Sequence, residues 1–319
     1  MSLYPRNLNE YVAQMGIPRG PKSKVYIYDP VNGNVNNTGT SWTSPLLTIE
    51  AAYAKCTADQ HDVVLALAGA AACNPAAAIA WSKSYTHLIG VGSEMPGLGQ
   101  RSRVVTQAAI AVTPIITFSG NGCIVKNMQF NQEKATGVAS GVAAVTGERN
   151  YFENVFFMSP TSATAASFSL KLGGDENAFV RCTIGQLTNF RSEASYGLWL
   201  HGAGATSRNK FIDCEFLAWS GGTPSNHAHV YIDADIVTVP WVTWYENCLF
   251  HNNFGGGTVQ VQAIDDNSTA AGHQTILRGR DNCFAGCTAV ADTLTYVFAP
   301  DMNGDHVTSG LLMIAVTET

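Results

Sequence analysis

The sequence predicts an all-β solenoid, a ribbon coiled with three short strands per turn, and three observations predict it. The first is a motif that returns in one register. Aligned on Cys214 of Asn209-Lys210-Phe211-Ile212-Asp213-Cys214-Glu215-Phe216, the series reads Met128, Val155, Cys182, Cys214, Cys248 and Cys283, at intervals of 27, 27, 32, 34 and 35 residues. Periods of this size mark a solenoid whose units stack on one another.

The second observation is a change of parity inside the motif. A strand turns alternate side chains to alternate faces. Apolar residues stand two before the motif's Asn/Asp position (Val125, Phe152, Phe179, Phe211, Tyr245) and three after it (Phe130, Phe157, Ile184, Phe216, Phe250). Both sets point inward only if the chain bends between them. The residue at the bend is Asn127, Asn154, Arg181, Asp213, Asn247 or Asn282, and Asn and Asp tolerate the left-handed backbone that makes such a corner. The third observation is a second column of inward-alternating strands, Phe168-Leu170-Leu172, Leu198-Leu200, Val230-Ile232 and Val259-Val261, with Leu294-Tyr296-Phe298 as its continuation. Turns spaced about 4.8 Å apart place like side chains above one another. The resulting Phe, aliphatic and Cys ladders, at roughly 1.5–3 kcal/mol per buried large apolar side chain, are the expected main source of stability.

From the N-terminus, Asn7 and Glu10 form a capping box ahead of Leu8, Tyr11, Val12 and Met15, an amphipathic helical spacing. This helix is read either as a lid on the first coil or as an arm reaching another protein. The Pro18-Arg19-Gly20-Pro21 linker follows. Val25-Tyr26-Ile27-Tyr28 reads as a strand, Asp29 to Asn34 as a loop, and Leu47 to Cys56 as an Ala-rich helix able to plug the open end of the ladder, whose backbone groups are otherwise unpaired. Asp62 to Gly69, Leu88 to Gly92 and Ile115 to Phe118 read as coil strands, and Glu133 to Gly147 as a lateral loop. Leu311 to Val316, apolar on both faces, reads as a strand docked under a cap or against a neighbour.

The order Val25-Tyr26-Ile27-Tyr28, Asn/Gly-rich loop, Gly39-Thr40-Ser41-Trp42, Pro45 and short Ala-rich helix, followed by Asp62-Val63-Val64-Leu65, resembles the opening of many proteins of the pectin-lyase-like superfamily. The resemblance implies a single-stranded right-handed parallel β-helix with a short N-terminal helix and a capping segment. The expected layout is an N-terminal arm over residues 1–24, the β-helix over 25–300 and a C-terminal strand or cap over 301–319. Asp265-Asp266 and Gly272-His273 resemble polygalacturonase elements, yet Gln274 follows the His and the basic pair is Arg278-Gly279-Arg280, which departs from that pattern.

Composition bounds the function. Charged residues are 13% of the chain and the net charge is −6, which argues against nucleic acid as a partner. No apolar run approaches a membrane span, and Met1 to Glu10 hold no apolar core of a secretory leader, so folding in a cytosol is expected. Accordingly the eight Cys are read as reduced, buried thiols, not as disulfides or zinc ligands. No metal or cofactor is expected.

The richest polar row follows from strand parity. If Val230 and Ile232 point inward, His229, Tyr231, Asp233 and Asp235 face out, flanked by Trp199 and His201 on one turn and Gln260 and Gln262 on the other. Such a face suits a sugar or a neighbouring subunit. Asp233 and Asp235, about 7 Å apart along a strand, approach the spacing of an inverting glycosidase pair. Phage tailspikes and head decorations, usually trimers, resemble this fold and assemble in a host cytosol. The expectation is therefore a non-enzymatic virion structural protein, a homotrimeric capsid decoration (cement) protein bound to the major capsid or another virion protein through an arm of Leu8, Tyr11, Val12 and Met15. The alternatives are a tailspike-like depolymerase acting through Asp233 and Asp235, and a carbohydrate-binding module that holds a cell-surface glycan.

Overall fold

The structure, a computed structural model, describes residues 8–298 apart from 70, 93–101, 107–111, 134–138, 163, 192–193, 203–206, 221–226, 237–240, 254–258, 268–272, 279–281 and 292–295. The C-terminal strand expected at 311–316 lies outside the described residues. Among them, twenty-five strands and two helices occur. The strands form three wholly parallel sheets of ten, seven and eight strands, each visited once per turn. The fold is the single-stranded right-handed parallel β-helix expected from the repeat.

The corner between the first and second sheets is built as the parity argument requires. Asn127, Asn154, Arg181, Asp213 and Asn247 all adopt positive φ, between 52° and 57°. Their side chains also link turns. Asn154 Nδ2 donates to Asn127 Oδ1 at 2.8 Å, Arg181 bonds Glu153, and Asn247 Nδ2 donates to Asp213 Oδ1 at 2.6 Å.

Inside this corner the residues stack. Phe152, Phe179, Phe211 and Tyr245 lie with ring centroids 4.7, 4.6 and 5.2 Å apart, and Phe216, Phe250 and Phe284 at 4.6 and 4.5 Å. Cys182, Cys214 and Cys248 form a buried column of free thiols, each donating to a backbone carbonyl of the preceding turn at 3.4–3.5 Å. Burial first, then the neighbouring thiols, push the Cys214 pKa well up.

Cys283 is not the next rung. Register places Leu249 opposite Cys283 and Phe250 opposite Phe284, so Asn282 stands in the column and Cys283 is exposed. The last interval is thus one residue shorter than the sequence alignment gave. Asn282 Oδ1 instead accepts from the Cys248 N–H at 2.9 Å.

A second ladder, of asparagines, enters the first sheet. Asn150, Asn177 and Asn209 are buried, and Oδ1 of each accepts a backbone N–H from the preceding turn at 2.7–2.9 Å. Nδ2 of Asn177 and Asn209 donates to Gly147 and Gly174 carbonyls. Buried backbone groups at this corner are thereby satisfied without a regular turn.

Helix α1, Leu8–Gln14, corrects one expectation. Leu8 and Val12 are buried together with Val25, Ile27, Val63, Leu65 and Ile89 on the outer face of the first sheet, with Tyr11 and Met15 packed alongside. The apolar stripe is used up within the chain, so this helix is a lid and not a free capsid-binding arm. Amphipathic spacing says that a face must be covered, not by what.

Helix α2, Ile49–Lys55, is capped by Thr48, whose hydroxyl accepts from the Ala51 N–H, and it buries Ile49, Ala52 and Tyr53. Tyr53 stacks on Trp81 at 4.1 Å, and Lys83 Nζ donates to the Tyr53, Ala54 and Cys56 carbonyls at the helix C-terminus. This is the end plug that the sequence predicts.

The lateral loop expected at 133–147 is corrected in part: Gly141–Val145 is a fully buried strand of the third sheet. Small side chains there reflect close packing between turns, not solvent. Gly141 faces the Phe168 ring so closely that a Cβ would stand 2.1 Å from it. Likewise Tyr296–Phe298 pairs with His273–Arg278 in the first sheet, and the third sheet continues through Cys287–Ala291 instead.

Candidate functional site: an aromatic and carboxylate face on the third sheet

Leu170, Leu198, Val230 and Ile264 are in register and buried, so their neighbours Lys171, Trp199, Tyr231 and Asp265 form one outward row running along the solenoid axis. Tyr196 joins it from an adjacent position, stacked on Tyr231 at 4.0 Å, with Trp199 edge-on to Tyr196 at 5.4 Å. Lys171 Nζ lies 4.0 Å from the Trp199 ring centroid, a cation–π distance. Burial pulls the Lys171 pKa down, against the upward pull of Asp233 and Asp235.

The strand ends at Ile232, and this changes the reading of the two carboxylates. A turn closes with the Ile236 N–H donating to the Asp233 carbonyl at 3.1 Å. It folds Asp233 and Asp235 toward one imidazole: His201 Nδ1 is 3.1 Å from Asp233 Oδ2 and 2.9 Å from Asp235 Oδ2. The three ligand atoms lie within 4.8 Å of one another. An extended-strand spacing fit for an inverting pair is therefore not what the turn produces.

Further bonds hold the carboxylates. Trp199 Nε1 donates to Asp233 Oδ2 at 2.8 Å, and the Gly202 N–H approaches both Asp235 oxygens at 3.2 Å. Desolvation alone raises the Asp233 pKa, but the hydrogen bonds from His201 and Trp199 outweigh it and the net shift is downward. One imidazole and two carboxylates are also a donor set suited to a divalent cation. The sequence assigned no metal ligands, because the turn that gathers these three follows from no local signal.

Two residues named for this face are elsewhere. His229 is buried, 1% exposed, with its ring 6.2 Å from Phe250. Ala228, His229 and Val230 are buried in succession within the strand Ala228–Ile232, so simple alternation fails there. Gln260 is buried while Val261 is 45% exposed. In that turn Ala263 and Ile264 are the inward apolar residues, and the expected Val259-Val261 register is displaced.

Gln262 does reach the face. Its Nε2 donates to Asp265 Oδ1 at 2.8 Å. With Tyr196, Tyr231 and Asp265 it lines a cleft of about 300 Å³ beside the aromatic row. Burial, and then Tyr196, push the Tyr231 pKa up, so both tyrosines are neutral amphipathic surfaces at neutral pH.

No family model matches the chain, and neither does any curated protein sequence. Among solved structures, the chain is similar to pectate lyase Pel9A, with a TM-score of 0.54 and 15% identity over 88% of this chain and 80% of that one. It is similar to pectin methylesterase PemA from Erwinia chrysanthemi, with a TM-score of 0.53 and 13% identity over 88% and 83% of the two chains. A capsular polysaccharide depolymerase tailspike of an Acinetobacter baumannii bacteriophage aligns with a TM-score of 0.33 and 13% identity over 74% and 50% of the two chains. The register of three stacked sheets and the likenesses to the pectate lyase and the PemA methylesterase agree on one conclusion: the chain has the parallel β-helix fold, and what it shares with those two proteins is that fold.

Proposed function

We propose that this chain is a non-enzymatic structural protein of a phage virion, a homotrimeric decoration of the head that contacts the major capsid or another virion protein through the aromatic face of its third sheet. The observation that supports a binding role is the state of the two carboxylates. Asp233 and Asp235 are held by His201, Trp199 and the Gly202 amide, so neither is a free acid or base. What the face offers a partner is rigid aromatic area with a polar edge, the composition that anchors protein interfaces. Eight free thiols, three of them stacked without bonding, suit assembly in a reducing cytosol.

The test is Trp199→Ala combined with Tyr231→Ala. Both side chains are partly exposed, so the variant is expected to stay folded and to lose attachment to particles by at least tenfold. Unimpaired attachment, or a wild-type chain that sediments as a monomer at micromolar concentration, would count against the proposal.

A second reading is a glycan-binding or glycan-cleaving β-helix, favoured by the Tyr196, Trp199 and Tyr231 cluster beside the carboxylates. Aromatic rings of this kind accept sugar faces, and the two proteins of the same fold named above are a pectate lyase and a pectin methylesterase. Cleavage of host-surface polysaccharide by the wild type, abolished in Asp233→Asn, would establish it over the first. Binding without cleavage that Trp199→Ala removes would establish the module alone.

A further inference from the structure

The corner between the second and third sheets buries a charge that meets no acid among the described residues. Arg191 is 1% exposed. Its Nη1 donates to the Ser162 carbonyl at 2.5 Å, while Nε and Nη2 have no partner. Close to it are two other buried polar atoms without partners, Ser220 Oγ and His227 Nε2, and beyond His227 both ring nitrogens of His229 are unpartnered as well. Ser220 is the register partner of Arg191 on the next turn, and the His227 and His229 rings are 6.0 Å apart. All of these residues are at most 4% exposed.

A guanidinium keeps its proton in proteins, so a buried one needs a compensating anion or an extensive polar shell. Desolvation is the cause that lowers the Arg191 pKa, to about 10, and no acid opposes it. Burial, then His229, then the Arg191 charge itself drive His227 down, so each histidine is neutral, with one N–H donor and one acceptor nitrogen. The site therefore holds one net positive charge, and the Nε and Nη2 groups that carry it have no acceptor.

We infer that the corner at Arg191 and His227 is a binding site for a single small inorganic monoanion of halide size. One fixed charge matches one negative charge. Side chains at most 4% exposed leave no room for a polymer, and a polyvalent oxyanion would leave charge uncompensated. Such an ion would join successive turns where no hydrophobic ladder does. His227 also lines the cleft beside Tyr196 and Tyr231, so the site adjoins the outer face.

Crystals soaked in sodium bromide and measured at the bromine absorption edge test it directly. An anomalous peak within hydrogen-bond distance of Arg191 and His227 is expected. In parallel, replacing gluconate by chloride at constant ionic strength should raise the Tm of the wild type, because a ligand that binds only the folded state stabilises it. Arg191→Gln should not respond. Water alone at the site with no anomalous peak, or a chloride response that persists in Arg191→Gln, overturns the inference. If that variant does not fold, the bromide map of the wild type decides by itself.

Discussion

Two corners of the same coil are built on opposite principles. Between the first and second sheets the chain turns on one left-handed residue, and the interior is a column of rings, thiols and asparagines repeated turn after turn. Between the second and third sheets the interior changes with each turn, from Ser162 to Arg191 to Ser220 with His227. At the first corner each turn solves the same packing problem with the same residue types. At the second each turn finds its own partners, and at Arg191 the partners within the chain run out. Stacking lets one solution be reused, whereas a buried polar group must be satisfied individually.

The largest expected effect tests the repeated corner. Phe179 lies between Phe152 and Phe211, so Phe179→Ala should cost about 3–5 kcal/mol in denaturant unfolding. Phe190, 42% exposed on the outer side, should cost under about 1 kcal/mol when changed likewise. Equal losses at the two positions would break the comparison.

Acid tests the second corner next. His229 there, and His87 in the first sheet, have pKa values held down to about 3 from an ordinary 6.5, chiefly by burial, and His227 is depressed as well. Below pH 6.5 the unfolded chain takes up protons that the folded chain refuses. The stabilisation from neutral histidine is thus complete above pH 6.5 and is lost progressively between there and about 3, at about 1.4 kcal/mol per pH unit for each residue. Urea unfolding at pH 7, 6 and 5 should show that slope, and His229→Gln should flatten it by one residue's share. A flat profile from 7 to 5 would show that these rings carry protons when folded.

A smaller effect sharpens the account of the bend. Asn154 sits at φ 52° and bonds Asn127, so Asn154→Val should cost about 1–3 kcal/mol through the strained backbone, and Asn154→Gly less. The reverse order would mean that the Asn ladder, not the conformation, matters there. The smallest effect is chemical: in the native protein maleimide should label Cys283, while Cys182, Cys214 and Cys248 should react only on unfolding, as read by peptide mass spectrometry. Labelling of Cys214 in the native state would show that its column opens.

The same contrast explains what the sequence could reveal. The fold was legible because the first corner repeats: Asn127, Asn154, Asp213 and Asn247 announce the bend, and the Phe positions around them fix the stacks. It failed by one residue at Cys283, where a Cys beside the column imitates a Cys within it. It failed at Val259-Val261 because that turn's inward set, Gln260, Ala263, Ile264 and Asp266, is half polar and carries no periodic apolar signal. Trp199, His201, Tyr231, Gln262 and the two carboxylates were found by alternation. Their grouping around His201 depends on a turn after Ile232, and His229 was misplaced because Ala228, His229 and Val230 are buried in succession, so alternation does not hold at the start of that strand.

The spacing across the first corner never varies from Phe152 to Phe157, Phe179 to Ile184, Phe211 to Phe216 and Tyr245 to Phe250, five residues each time, while the return from third to first sheet grows from 7 residues (Leu172 to Phe179) to 11 (Leu200 to Phe211) and 13 (Ile232 to Tyr245). One extra amino acid at the fixed hinge would turn a strand inside out; at the return it merely lengthens an overhang. Length is therefore tolerated at that return as it is not at the hinge, and the return is where His201, Asp233 and Asp235 meet.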